Sequence, residues 1–128
     1  MTTTTTLPNG NRAEHYKNST GYESWQEYDE NNNEIHYKDS NGFENWREYD
    51  KNNKCIHFRN SGGLESWQEF DKNNNEIHYK NSDGFEAWNE FDTNNNEIHY
   101  KNSNGFEEWH HNGVEITKEE FNKIHIIP

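Results

Sequence analysis

Short stretches of alternating aromatic and polar residues recur along the chain, each closed by a polar, turn-forming cluster. Phe43-Glu44-Asn45-Trp46-Arg47-Glu48-Tyr49 and Glu34-Ile35-His36-Tyr37-Lys38 are representative. A period of two with aromatic and β-branched enrichment predicts strands. Helical spacing finds no support before the last dozen residues.

The clusters are of two kinds. One is Asn-Ser-x-Gly, as in Asn18-Ser19-Thr20-Gly21, and the other is Asp-x-Asn-Asn-Asn, as in Asp29-Glu30-Asn31-Asn32-Asn33. Glycine and asparagine tolerate the positive φ that tight hairpin turns require. Strands and turns together repeat every 21 residues, as His15–Ile35, His36–Ile56, His57–Ile77 and His78–Ile98, with a partial copy from His99. The histidine, glycine (Gly21, Gly42, Gly63, Gly84, Gly105) and tryptophan (Trp25, Trp46, Trp67, Trp88, Trp109) positions hold in all five copies. Such self-similarity marks a repeat architecture. The expected fold is all-β, an antiparallel meander of β-hairpin repeats with about ten strands.

Turn length fixes which residues meet across each hairpin. A three-residue loop Ser40-Asn41-Gly42 places His36 opposite Trp46 and Lys38 opposite Glu44. A four-residue loop Glu30–Asn33 places Tyr28 opposite Ile35 and Glu27 opposite His36. The two registers agree. One face then carries Tyr22, Tyr28, Ile35, Tyr37, Phe43, Tyr49 and their equivalents, and is the expected core. The other carries the tryptophans, the histidines, the flanking glutamates and the lysine after each His-Tyr pair. A single sheet cannot bury its apolar face against nothing. Thr117-Lys118-Glu119-Glu120 reads as a capping box, so residues 118–124 are expected to form a short capping helix over the apolar face. Ile126 and Ile127 would extend that contact. A homodimer is another way to hide the surface. Residues 1–10 read as a flexible tail, and 11–128 as a single repeat domain.

Composition sharpens this picture. Only 27% of residues are apolar, yet 15% are aromatic, so the rings must carry the burial. The net charge of −12 argues against nucleic-acid binding and against an anionic membrane surface, and favours basic partners. Cys55 is the single cysteine and replaces a glutamate found at the same position in other repeats. It reads as drift at an exposed site, not as a nucleophile. Thr2 to Thr6 offer no secretory h-region and no apolar run reaches membrane-spanning length, so the expected compartment is a cytoplasm.

The stretch from Trp25 to Asp50, WQEYDENNNEIHYKDSNGFENWREYD, resembles the YD-type and MORN-like short β-hairpin repeats of bacteria and phages. Gly105–Lys123 resembles the terminal module that closes many small phage-borne repeat proteins. One departure is that Asn33, Asn75 and Asn96 stand where the YD turn ends in glycine. The resemblance implies a scaffold or binding surface. It also brings in small acidic phage proteins that inhibit host defence nucleases, acting in a host cytoplasm.

The candidate partner-binding residues are the Glu-x-Trp-x-Glu stripe: Glu23, Trp25, Glu27, Glu44, Trp46, Glu48, Glu65, Trp67, Glu69, Glu86, Trp88 and Glu90. Tryptophan is a frequent interface anchor, and carboxylates around it attract basic surfaces. The competing reading is that each Trp packs on its cross-strand His and the glutamates merely solvate the sheet. The histidine ladder is not expected to bind metal, because its members lie ~9–10 Å apart, two strand spacings. His99, His110 and His111 are a weaker candidate cluster. No cofactor is expected. No P-loop, dinucleotide fingerprint, Gly-x-Ser-x-Gly or His-Glu-x-x-His occurs, and identically repeated carboxylates do not make an acid–base pair. The function expected is a non-enzymatic, anti-CRISPR-like inhibitor that occupies a basic protein surface. The alternatives are a carbohydrate- or cell-surface-binding repeat and a structural oligomer.

Overall fold

The structure, a computed structural model, describes residues 1–125; Ile126 and Ile127 lie outside the described residues. The fold is an all-β antiparallel meander of twelve strands in chain order, ending in one short helix. The chain divides into two compact units, 1–66 and 67–128. Unit one holds β1 (Thr2–Thr6), β2 (Arg12–Lys17), β3 (Glu23–Tyr28), β4 (Glu34–Asp39), β5 (Glu44–Tyr49) and β6 (Cys55–Asn60). The division falls within β7 (Glu65–Phe70). Unit two continues with β8 (Glu76–Asn81), β9 (Glu86–Phe91), β10 (Glu97–Asn102), β11 (Glu107–His111), β12 (Val114–Ile116) and the helix α1 (Lys118–Ile124).

The strand count exceeds the expectation of about ten because both ends are recruited. Residues 2–6, read from the sequence as tail, form β1 and pair with Arg12–Tyr16. Five consecutive β-branched threonines favour a strand, and Leu7–Asn11 turns the chain with Gly10 at φ 90°. At the other end the Asn112-Gly113 turn adds β12.

Both turn types use one design. In the first, the Gly42 amide donates to the Asp39 carbonyl while the Asp39 side chain accepts from the Asn41 and Phe43 amides. In the second, Asn32 donates to the Asp29 carbonyl while Asp29 accepts from Asn31 and Asn33. Gly42 takes the left-handed position in one and Asn32, at φ 67°, takes it in the other. The Asp-x-Asn-Asn-Asn loop is therefore three residues long, not four, and the left-handed residue is Asn32 rather than Asn33. The leftover residue goes into a bulge: Tyr28 pairs with Glu34, not with Ile35, before Glu27 pairs with His36 as expected. The other hairpin has its expected register, with His36 opposite Trp46 and Lys38 opposite Glu44.

The Tyr/Phe face is not a closed core. Among the described residues no large side chain is fully buried. The residues most removed from solvent are small: Ser24, Asn45, Ser66 and Ala87, the position between Glu and Trp in the first four repeats. Asn45 lies opposite Tyr37 and Asn60, and Ala87 opposite Tyr79 and Asn102. A short side chain there leaves room for the rings of adjacent strands. Those rings meet in tilted pairs such as Tyr37–Phe43 and Tyr79–Phe85. Phe43 and Phe106 remain exposed.

The helix forms as expected, with both halves of the Thr117–Glu120 capping box present. Its position differs from the expectation. Phe121 packs on His99, whose imidazole stacks on Trp109, so α1 covers the end of the His/Trp face rather than the Tyr/Phe face; the bulge also moves Ile35 off the expected Tyr face, to line a groove with His36 and Trp46. Ile116, opposite Trp109, leads the chain onto that side.

Candidate functional site

Strand alternation and the hairpin register bring each histidine and tryptophan together. His15 stacks on Trp25, His36 on Trp46, His78 on Trp88 and His99 on Trp109, with centroids 5.1–5.6 Å apart and planes within 18° of parallel. The neighbouring strand places a cation over the same indole. Arg59 lies 4.4 Å from the Trp46 ring centroid and Lys101 5.2 Å from that of Trp88. In unit one a lateral row reads Glu27, His36, Trp46, Arg59. In unit two the row reads His78, Trp88, Lys101, Glu107. Each of these indoles is flanked by an imidazole from one adjacent strand and a cation from the other.

The glutamates of the stripe fall into two classes. The first of each pair is tied to histidine: Nε2 of His36, His57 and His78 lies 2.6 Å from Glu44, Glu65 and Glu86. Glu23 approaches His15 at 3.4 Å. The second of each pair reaches the other ring nitrogen loosely. Glu48 lies 3.2 Å from His57 and Glu69 3.4 Å from His78, while Glu90 is 2.9 Å from His99. The side chains of Glu48, Glu69 and Glu90 are 64–70% exposed, against 28–31% for Glu23, Glu44, Glu65 and Glu86. Glu27 accepts from the Asn11 amide at 2.8 Å. The stripe is therefore not a uniform ladder of negative charge. The first glutamates are half-buried against a histidine, and the exposed carboxylates are those of Glu48, Glu69 and Glu90, each of which also meets a ring nitrogen.

Two carboxylates on one imidazole require both ring nitrogens to donate, which is the protonated form. His57 is raised above its ordinary value first by its hydrogen bond to Glu65, against partial burial, with Glu48 adding to the rise. His78 behaves alike with Glu86 and Glu69. Burial pushes His99 down, and Glu90 and Glu107 more than reverse it.

Trp25, Trp67 and Trp88 keep 36–40% of their surface exposed, whereas Trp46 is half-buried. Shallow grooves run beside the stacks. One of about 330 Å³ is bounded by Thr3, Thr5, Ala13, His15, Trp25 and His36. Another, of about 360 Å³, is lined by His36, Trp46, Glu48, His57 and Arg59.

Sequence reasoning missed the lysine and arginine partners of the indoles as members of the site. The signal was present, because a basic residue follows each His-aromatic pair, as Lys38, Arg59, Lys80 and Lys101 do. Serines of the Ser-x-Gly turns also had an unnoticed role: Ser40, Ser61 and Ser103 accept from the Glu23, Glu44 and Glu86 backbone amides and lock successive hairpins together. The suggested His99, His110, His111 cluster does not form around one point, because His110 faces away from the side on which His99 meets Trp109. Cys55 is half-buried rather than exposed, and burial pushes its thiol up. No protein-family profile matches the chain, and no curated protein matches it significantly.

Proposed function

We propose that this chain is a non-enzymatic, acidic β-repeat binding protein, an inhibitor that occupies a basic surface of a nucleic-acid-handling protein in the manner of anti-CRISPR-like phage proteins. The observation that carries the reading is the placement of Glu48, Glu69 and Glu90. Their carboxylates are the most solvent-accessible of the stripe, and each meets a histidine of the His/Trp face. A basic surface meets exposed carboxylates at the rim and partly exposed indoles as anchors. The resemblance to phage-borne hairpin repeats points the same way. A host cytoplasm is the compartment this reading needs.

The alternative of sugar stacking fits the geometry less well, because a sugar ring needs a bare aromatic face. Trp46 and Trp88 have an imidazole from one flanking strand and a cation from the other. A homodimer is favoured by one separate observation: Phe43, Leu64 and Phe106 are exposed on the opposite face.

The experiment is a pull-down from a bacterial lysate at low and at high salt, with bound proteins identified by mass spectrometry. The proposal expects a nucleic-acid-handling protein with a basic surface, captured at low salt and released at high salt. Capture of glycans unaffected by salt, or no capture by a chain that runs as a dimer, would overturn it.

A further inference from the structure

The last repeat departs from the others at two positions on the Tyr/Phe face. The residue between Glu and Trp is Ser24, Asn45, Ser66 and Ala87 in the earlier copies, and Glu108 in the last. The residue after Trp is Gln26, Arg47, Gln68 and Asn89, and then His110. In the first three repeats this second position donates to the glutamate that opens the neighbouring strand. Gln26 and Arg47 reach Glu34 at 3.4 and 3.3 Å, and Gln68 reaches Glu76 at 3.0 Å. Glu97 is the equivalent glutamate in β10, and in place of two donors it has Asn89 and His110 beside it. The Oδ1 of Asn89 and the Nδ1 of His110 are both buried without a hydrogen-bond partner.

Glu97, Glu108 and His110 each offer one ligand atom, and these atoms all lie within 4.8 Å of one another. All three side chains are half-buried. No ion pair or hydrogen bond joins their side chains among the described residues. Two carboxylates held this close repel unless a positive charge comes between them. A groove of about 420 Å³, lined by Phe91, Asn95, Asn96, Glu97, His110 and Gly113, gives access to Glu97 and His110.

We propose that Glu97, Glu108 and His110 form a binding site for a divalent transition ion of the Zn²⁺ class, tying β10 to β11. A tetrahedral Zn²⁺ with bonds of about 2.0–2.1 Å draws its ligands to about 3.3 Å apart, within reach of side-chain rotation from the observed separation. The imidazole selects against Mg²⁺ and Ca²⁺, which prefer all-oxygen shells. Carboxylate and imidazole together suit Zn²⁺, and the three protein ligands leave a fourth position for water. The His/Trp face does not offer this arrangement, because its histidines are already occupied by carboxylates and indoles.

The test is calorimetric titration of the full chain, stripped with chelator, with Zn²⁺ alone. The expected result is one ion per chain, unaffected by excess Mg²⁺. Glu108→Ser and His110→Gln each restore a residue type that earlier repeats carry, so the fold is retained and circular dichroism checks it. Each should weaken binding at least tenfold, while His78→Gln on the other face should leave it unchanged. An NMR titration should shift the His110 imidazole resonances first. Absence of stoichiometric binding, equal affinity in Glu108→Ser and His110→Gln to that of the unmodified chain, or a loss in His78→Gln as large as in His110→Gln would overturn the assignment.

Discussion

The imidazole of His78 stacks on the indole of Trp88 with ring centroids 5.6 Å apart and planes 18° from parallel, while Nε2 holds Glu86 at 2.6 Å. One residue thus joins three jobs: it pairs strands β8 and β9, orients an indole, and neutralises a carboxylate. His78→Ala should lower stability by about 0.5–1.5 kcal/mol from the lost ring pair alone. Urea denaturation followed by tryptophan fluorescence measures it. An unchanged midpoint would show that the stack is incidental.

The same histidines make stability depend on pH. Folded-state values of His57, His78 and His99 lie above the ordinary 6.5, so the folded chain binds more protons than the unfolded one between the two values. Their contribution is fully present below 6.5 and is lost as pH rises through the raised values. The turn aspartates Asp29, Asp71 and Asp92 act oppositely, lying below 3.8; turn amides outweigh partial burial at Asp29 and lead the lowering at Asp71 and Asp92. Their contribution is present above 3.8 and is lost as pH falls through the lowered values. Thermal midpoints should therefore peak in mildly acidic solution and fall on both sides. His57→Gln with His78→Gln should flatten the alkaline limb and leave the acid limb intact.

Ala87 fills the small position beneath the Tyr79 and Phe85 rings and is 7% exposed. Ala87→Ser should be tolerated, since serine occupies the position at Ser24 and Ser66. Ala87→Leu should cost about 1–3 kcal/mol by displacing those rings, read as a drop in thermal midpoint. Equal stability of the two variants would show that the position is not packed.

Asn74 carries φ 65° at the turn between β7 and β8. Asn74→Gly should match or exceed wild type, and Asn74→Ala should lose about 1–2 kcal/mol, the cost of a left-handed residue with an ordinary Cβ. The comparison of the two denaturation curves checks it.

Much of this was legible in the sequence because the repeat is strict. A period of 21 residues, with Asn41 and Gly42 in one turn, is enough to set the His36–Trp46 pairing. The bulge at Ile35 was not legible, because a three-residue loop plus a bulge and a four-residue loop both bring Glu27 opposite His36. β1 was missed because a run of threonines has no alternation to read. The emptiness of the Tyr/Phe face was missed because alternation tells which residues share a face, not whether anything covers it. In the site, which glutamates are exposed depends on side-chain reach to His57 and His78, and identical repeat positions carry no sign that the two glutamates differ.

In the proposed function the exposed carboxylates of the His/Trp face capture a basic partner. The most direct measurement compares salt-dependent capture from lysate by wild type and by the triple variant Glu48→Gln, Glu69→Gln, Glu90→Gln. These side chains are largely exposed, so the variant should stay folded. The variant should lose most of the low-salt capture, and the remainder should depend less on salt. Undiminished capture by the folded variant would contradict it and would move the binding surface to the opposite face or to the sheet's edges.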